Sequence, residues 1–273
     1  MLRLARLLLT TASVVAMAGA AEAATERVAL IIGNGAYQSE SPLANPSNDA
    51  ADVAALLRNL GFEVIEGRDL SKRDLERKLK EFRAKLEEIQ PAADFDPDTS
   101  PPVALFYYSG HGIQVAGRNF VIPVDAKIDK PADVDFETVD MDAILRAMQG
   151  DAWASVIVLD ACRDNPFARS LARSLKGATR GGESAFQGLA EMRAQNGSFI
   201  IYATDPGNVA LDGTGRNSPF TSAFLKNAPK PGVDLSRMMI SIRYDVMRAT
   251  GDKQNPRDTS SLMRPVFLGG APA

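Results

Sequence analysis

The chain holds one histidine and one cysteine, and both stand where side chains rarely serve packing alone. His111 lies in FYYSGHGIQVAG, between Gly110 and Gly112, just after an apolar run. Cys162 ends a second apolar run in VIVLDACRDNPF, 51 positions further on. An imidazole close to a thiol favours the thiolate, which is the form that attacks a carbonyl carbon. The oxyanion that then develops needs backbone N–H donors. Gly112 offers one that no side chain obstructs, and Cys162 offers its own. With a single residue of each type, a Cys–His dyad in this chain is His111 with Cys162. The alternative is a surface histidine and an inert, buried cysteine.

Residues so distant in sequence meet only if two strand exits lie side by side. RVALIIGN (27–34), FEVIEG (62–67), VALFYYSG (103–110), ASVIVLDAC (154–162) and SFIIYATD (198–205) are short apolar runs that read as buried strands. Helical spacing appears between and after them. Val53, Leu56, Leu57 and Leu60 form one stripe, stopped by Gly61. Ser71 caps a helix whose stripe is Leu75, Leu79, Phe82, Leu86 and Ile89. VDMDAILRAMQ (139–149), SPFTSAFLKNA (218–228) and DLSRMMISIRYDVMRAT (234–250) read as helices, RNFVIPVDA (118–126) as a short strand and RPVFLGG (264–270) as a last strand. Residues 91–102 are a polar, proline-rich connection, and 165–197 are rich in Gly, Ser and Arg. Alternating strands and helices imply right-handed crossovers and a mostly parallel sheet covered on both faces. Ligands bind such sheets at the carboxyl ends of the strands, which is where His111 and Cys162 fall.

The net charge of −3 supplies no basic excess for a nucleic-acid backbone, so no nucleic-acid partner is expected. Residues 1–23 read as a secretory signal peptide, with Arg3 and Arg6, an alanine-rich apolar stretch and an A-x-A site at Ala21-Glu22-Ala23. Residues 24–273 form one domain, and no later segment is apolar enough to span a bilayer. The mature chain is therefore expected to be exported, periplasmic or secreted, and free of the membrane once the signal is removed. A single cysteine in an oxidising compartment is a liability unless it is buried or used.

The segments ALIIGNGAY, NDAADVAALLRNLGFEV, LFYYSGHG, VIVLDACRD and IIYATDPG, taken in order, resemble the caspase-like cysteine peptidases, a group that includes caspases, metacaspases and bacterial relatives. A histidine about 50 residues upstream of the cysteine is a recorded caspase signature, so the spacing here is a match to it. The resemblance implies an α/β fold, a caspase-like three-layer sandwich with a mostly parallel central sheet flanked by helices. It implies a cysteine endopeptidase acting on peptides or proteins without a cofactor. His111 would be the general base or acid, Cys162 the nucleophile, and Gly112 with Cys162 the oxyanion donors. It also divides the chain into a large-subunit-like part (24–165), a linker (166–197) and a small-subunit-like part (198–273). Caspases are cut in this linker on activation. Here it offers Arg169, Arg173, Lys176 and Arg180 as self-cleavage sites, unless Leu171, Leu175 and the arginines form a short docked helix.

The departures from caspases concern specificity. The caspase glutamine two residues before the cysteine is Asp160 here, as in metacaspases, where a carboxylate helps to bind a basic P1 side chain. The two regions that carry P1-binding arginines in caspases read SESPLANPSNDA, without Arg or Lys, and NVALDG, where Asp212 stands. Asp160 and Asp212 are thus expected to bind substrate, with cleavage after Arg or Lys. The alternatives are a strand-end Asp160 satisfying local backbone donors and a turn residue at Asp212. The metacaspase-like features imply a monomer.

Other chemistries find little in the sequence. IIGNGAYQ lacks the third glycine of a dinucleotide loop. DFDPD resembles the start of a calcium loop, but Thr99 and Leu105 occupy the Gly and Glu positions. Calcium activation, known in some metacaspases, is not encoded in a legible form. Zinc needs three or four ligands, so no metal site is expected. No G-x-S-x-G occurs. The second functional reading is a catalytically silent caspase-fold binding or regulatory module.

Overall fold

The computed structural model describes residues 27–89, 102–150, 153–161, 188–195 and 197–271. The apolar runs become β1 (Arg27–Gly33), β2 (Glu63–Arg68) and β3 (Val103–Ser109). A small antiparallel sheet of β4 (Gly112–Val115), β5 (Arg118–Val121) and β6 (Val139–Asp140) follows the third strand. Then come β7 (Ala154–Asp160), β8 (Ser198–Tyr202) and β9 (Arg257–Ser260). The main sheet has the order β2-β1-β3-β7-β8-β9, and only β9 runs antiparallel to its neighbour. Every residue of β3 and β7 is buried, as strands covered on both faces require. Each large aliphatic side chain there contributes about 1.5–3 kcal/mol of burial.

Helices cover both faces. On one lie α1 (Pro46–Asn59) and, later in the chain, α5 (Pro219–Asn227) and α6 (Leu235–Thr250). Their Val53, Leu57, Phe220, Phe224, Met238 and Ile242 pack on Ile31, Tyr107 and Val158 of the sheet. On the other lie α2 (Lys72–Glu88) and α4 (Met141–Ala147), preceded by the single turn α3 (Val134–Glu137). Leu75, Phe82, Leu86 and Ile144 there pack on Leu30, Phe106 and Leu159. This is the expected three-layer sandwich. Among the described residues, no helix is long and apolar enough to cross a membrane.

The last strand is a correction. Residues 264–270 do not form one; Phe267 makes only an isolated bridge to Asp234. Val266 and Leu268 are buried as a cap on the α1/α6 face of the core. The guanidinium of Arg27 holds the carbonyls of Phe267 and Leu268 at 3.1 and 2.9 Å. The antiparallel edge is RDTS instead, a polar segment that pairs on one side only. Hydrophobic pattern favours segments that bury side chains, and an edge strand need not do so.

The topology sets the position of the site. The chain adds β2 on one side of β1, then returns to place β3 on the other side, so the strand order reverses between β1 and β3. In register, Gly33 stands beside Ser109, and Ser109 beside Asp160. The carboxyl ends of three central strands are therefore level.

Candidate active site

Beyond Ser109 the chain must turn under two tyrosine hydroxyls. Gly110 has φ +155°, and a Cβ there would lie 2.7 Å from Tyr37 Oη and 2.8 Å from Tyr108 Oη. Glycine is the residue that fits. His111 follows, buried, with its Nε2 at 3.1 Å from the carbonyl oxygen of Ser41. A carbonyl can only accept, so Nε2 carries the hydrogen, and in the neutral ring Nδ1 is the basic nitrogen. The ring of Tyr37 packs against the imidazole with centroids 4.4 Å apart.

The exit of β7 comes up beside this turn. Gly110 N–H donates to the carbonyl of Asp160 at 3.3 Å. A Cβ on Gly112 would lie 3.2 Å from Cβ of Ala161 and 3.1 Å from Cδ2 of Leu189. The residue after the histidine thus touches the residue before the cysteine. Cys162 itself, and Arg169, Arg173, Lys176 and Arg180, lie outside the described residues. Leu189 is held in place by its neighbours. The carboxamide of buried Asn119 donates to Ala190 O and accepts from Ala190 N, each at 2.7 Å. Met192 N–H donates to Tyr202 Oη at 2.8 Å, and Gly207 N–H to Leu189 O at 3.1 Å.

On the α1 side of the same sheet end, two carboxylates are fully buried, Asp160 and Asp49. Asp160 Oδ2 accepts from the hydroxyl of Ser218 and from Thr221 Oγ1, the latter at 2.9 Å. Thr221 spends its hydrogen on Asp160, so Tyr107 must donate to Thr221 Oγ1 across 2.5 Å. Asp49 accepts from Ser109 Oγ and from Ser218 N, each at 3.0 Å. Ser218 therefore bridges the two acids, giving its N–H to one and its O–H to the other. Asp49 lies in the first turn of α1, where the helix dipole favours negative charge.

Asp212 stands half-exposed on the loop before α5. Its Oδ2 accepts from Ala44 N at 3.0 Å, and its carbonyl accepts from Asn45 Nδ2 at 2.6 Å. Asn45 occupies the N-cap position of α1 but turns its side chain to this loop, not to the helix. A few residues on, Arg216 grips Asp52 of α1 through two bonds of 2.8 Å. The Arg216 hydrogen bond, working against partial burial, holds the Asp52 carboxyl below its ordinary range. Asp160 and Asp212 are thus both tied to the same corner, around the start of α1. Asp49 was not legible as a site residue. The available signal is its spacing, since it shares a helical stripe with buried Val53 and Leu57. A carboxylate on the buried stripe of a helix needs a reason. Among the described residues, no group of three or more His, Cys, Asp or Glu is arranged to hold a metal ion.

Comparison with known proteins gives this arrangement its family. The caspase-domain profile matches residues 26–267. Mucosa-associated lymphoid tissue lymphoma translocation protein 1 of Homo sapiens is 30% identical over 141 residues, which is 51% of this chain and 15% of that protein. Its Mus musculus homolog matches to the same extent. The match thus spans only a small part of these curated relatives. Among solved structures, caspase-1 from Spodoptera frugiperda superposes with a TM-score of 0.60, covering 92% of both chains at 17% identity, which is a likeness of fold. The profile runs through the histidine turn, the two buried acids and almost every described element, and the chain belongs to the caspase-domain family of cysteine peptidases.

Proposed function

We propose that the chain is an exported cysteine endopeptidase that uses Cys162 and His111 and cleaves after Arg or Lys. The observation that carries the reading is the convergence, at one end of the sheet, of a buried imidazole whose Nε2 faces the Ser41 carbonyl and two buried carboxylates joined through Ser218. In this reading the Cys162 thiol gives its proton to Nδ1 of His111, and the resulting thiolate attacks the scissile carbonyl carbon. The N–H groups of Gly112 and Cys162 bind the oxyanion. Imidazolium His111 gives its Nδ1 proton to the leaving amine as the C–N bond breaks. A water then loses a proton to Nδ1 and attacks the thioester, and the product acid leaves with the thiolate restored. Asp49 and Asp160, with Asp212 near the surface, supply the negative field that draws a P1 guanidinium or ammonium.

Purified protein should hydrolyse fluorogenic peptides with Arg or Lys at P1 and not those with Asp. Cys162→Ala and His111→Ala should each abolish turnover and leave the melting temperature near that of the wild type. Preference for Asp at P1, or wild-type turnover by Cys162→Ala, overturns the proposal. The leader reading requires a mature N-terminus at Ala24 in the exported fraction. The monomer reading requires a single sedimenting species of about 29 kDa or less.

A further inference from the structure

The hydroxyls around His111 form a directional circuit. His111 N–H donates to Tyr37 Oη at 2.7 Å. Tyr108 Oη lies 2.8 Å from the carbonyl of His111 and 3.0 Å from that of Ile122. Both carbonyls can only accept, so Tyr108 spends its single hydrogen on them. In the 3.3 Å contact between the two hydroxyls, Tyr37 is therefore the donor. The chain of bonds leaves the N–H of His111, passes through Tyr37 and Tyr108, and returns to the carbonyl of the same residue. Bonds in such a series polarise one another in the same sense. The ring of Tyr37 meanwhile packs on the imidazole that its hydroxyl anchors from the backbone side. Tyr37 is buried and comes from the loop after β1, the loop that also delivers the Ser41 carbonyl to Nε2.

We infer that Tyr37 is a positioning residue for His111, with two separable parts. The hydroxyl fixes the backbone of the histidine, and the ring fixes the plane of the imidazole so that Nε2 keeps Ser41 as its partner. Tyr37 acts through its contacts with His111, so the effect is expected in the chemical step. The inference rests on the peptidase reading for its kinetics but not for its structural readout. With one histidine in the chain, every imidazole signal is that of His111.

The experiment compares the full mature chain with Tyr37→Phe and Tyr37→Leu by steady-state kinetics on an Arg-P1 peptide, by melting, and by long-range 1H–15N correlation of the imidazole. Wild type should show one neutral tautomer, protonated at Nε2. Tyr37→Phe keeps the ring and loses both hydroxyl contacts, the 2.7 Å bond from His111 N–H and the longer 3.3 Å one to Tyr108 Oη, so kcat should fall roughly fivefold to tenfold with KM unchanged and the tautomer kept. Tyr37→Leu should lose more in kcat and show averaging between tautomers. Wild-type kcat in both variants, or a raised KM at constant kcat, overturns the inference. If Tyr37→Leu does not fold, the isosteric Tyr37→Phe decides alone. If the wild type hydrolyses no peptide, the peptidase reading falls, while a mixed tautomer in the wild type, or a fixed one in Tyr37→Leu, refutes the positioning role separately.

Discussion

Replacing Asp49 by asparagine isolates the charge of the acid pair from its geometry. Asp49 uses Oδ1 to accept from Ser218 N and Oδ2 to accept from Ser109 Oγ. Asparagine keeps the Oδ1 bond. Its amide then faces Ser109, whose hydroxyl has lone pairs to accept and can rotate. The packing and both contacts survive, and one buried negative charge is removed. Melting should move by less than about 4 °C, the shift that roughly 1 kcal/mol causes in a chain of this size. Recognition of a basic P1 side chain should suffer far more. A hydrogen bond to a charged group contributes about 1.5–3 kcal/mol, so kcat/KM on an Arg-P1 peptide should fall roughly 10- to 150-fold. A peptide with citrulline at P1 has the shape of arginine without its charge and serves as the control. Its hydrolysis should be little changed by Asp49→Asn, and Asp160→Asn should show the same pattern, because the two acids share Ser218. Equal losses on both peptides would make Asp49 a structural residue. No loss on either would remove the acid pair from substrate recognition.

Two further outcomes follow from other parts of the molecule. Mass spectrometry of wild type should find fragments ending at Arg169, Arg173, Lys176 or Arg180 that are missing from Cys162→Ala, and an intact, fully active wild-type chain would show that this cleavage is neither made nor needed. The Asp52 carboxyl is depressed by Arg216, so its contribution to stability is present above the unfolded value of about 3.9 and is lost as pH falls through the lower folded value. Asp52→Asn should therefore melt below wild type at neutral pH and converge with it in strong acid; a gap that widens on acidification would refute the assignment.

Much of the architecture was legible because the central strands are buried on both faces. β3 and β7 read as unbroken apolar runs for that reason, and their exits could be placed together from alternation alone. The stripe of α2 was equally clear, since Leu75, Phe82 and Leu86 recur at helical spacing toward one layer. What escaped were features decided by tertiary context. RDTS gives no apolar signal because β9 is an edge, held by Arg257 on Asp205 and by Arg243 on Asp258. Val266 and Leu268 mimic a strand because they cap the core. Asp160 drew notice by lying two residues before the cysteine, but Asp49, distant in sequence, joins it through Ser218 after the sheet has formed.

The grip of Asn119 on Ala190 has a consequence for what covalent continuity means in this chain. An amide side chain there makes the paired donor and acceptor contacts that a neighbouring strand would make to a main chain. Beyond that grip, β8 is inserted between β7 and β9, and α5 and α6 complete one face of the core. The hydrogen bonds and packing that join residues 27–161 to residues 188–271 are non-covalent and need no peptide link between the two parts. Separating the halves would expose the middle of the sheet. Nicking thus turns one folded chain into a two-chain complex whose subunit boundary runs through its own hydrophobic centre, and the halves should co-elute until a denaturant dismantles the sheet itself.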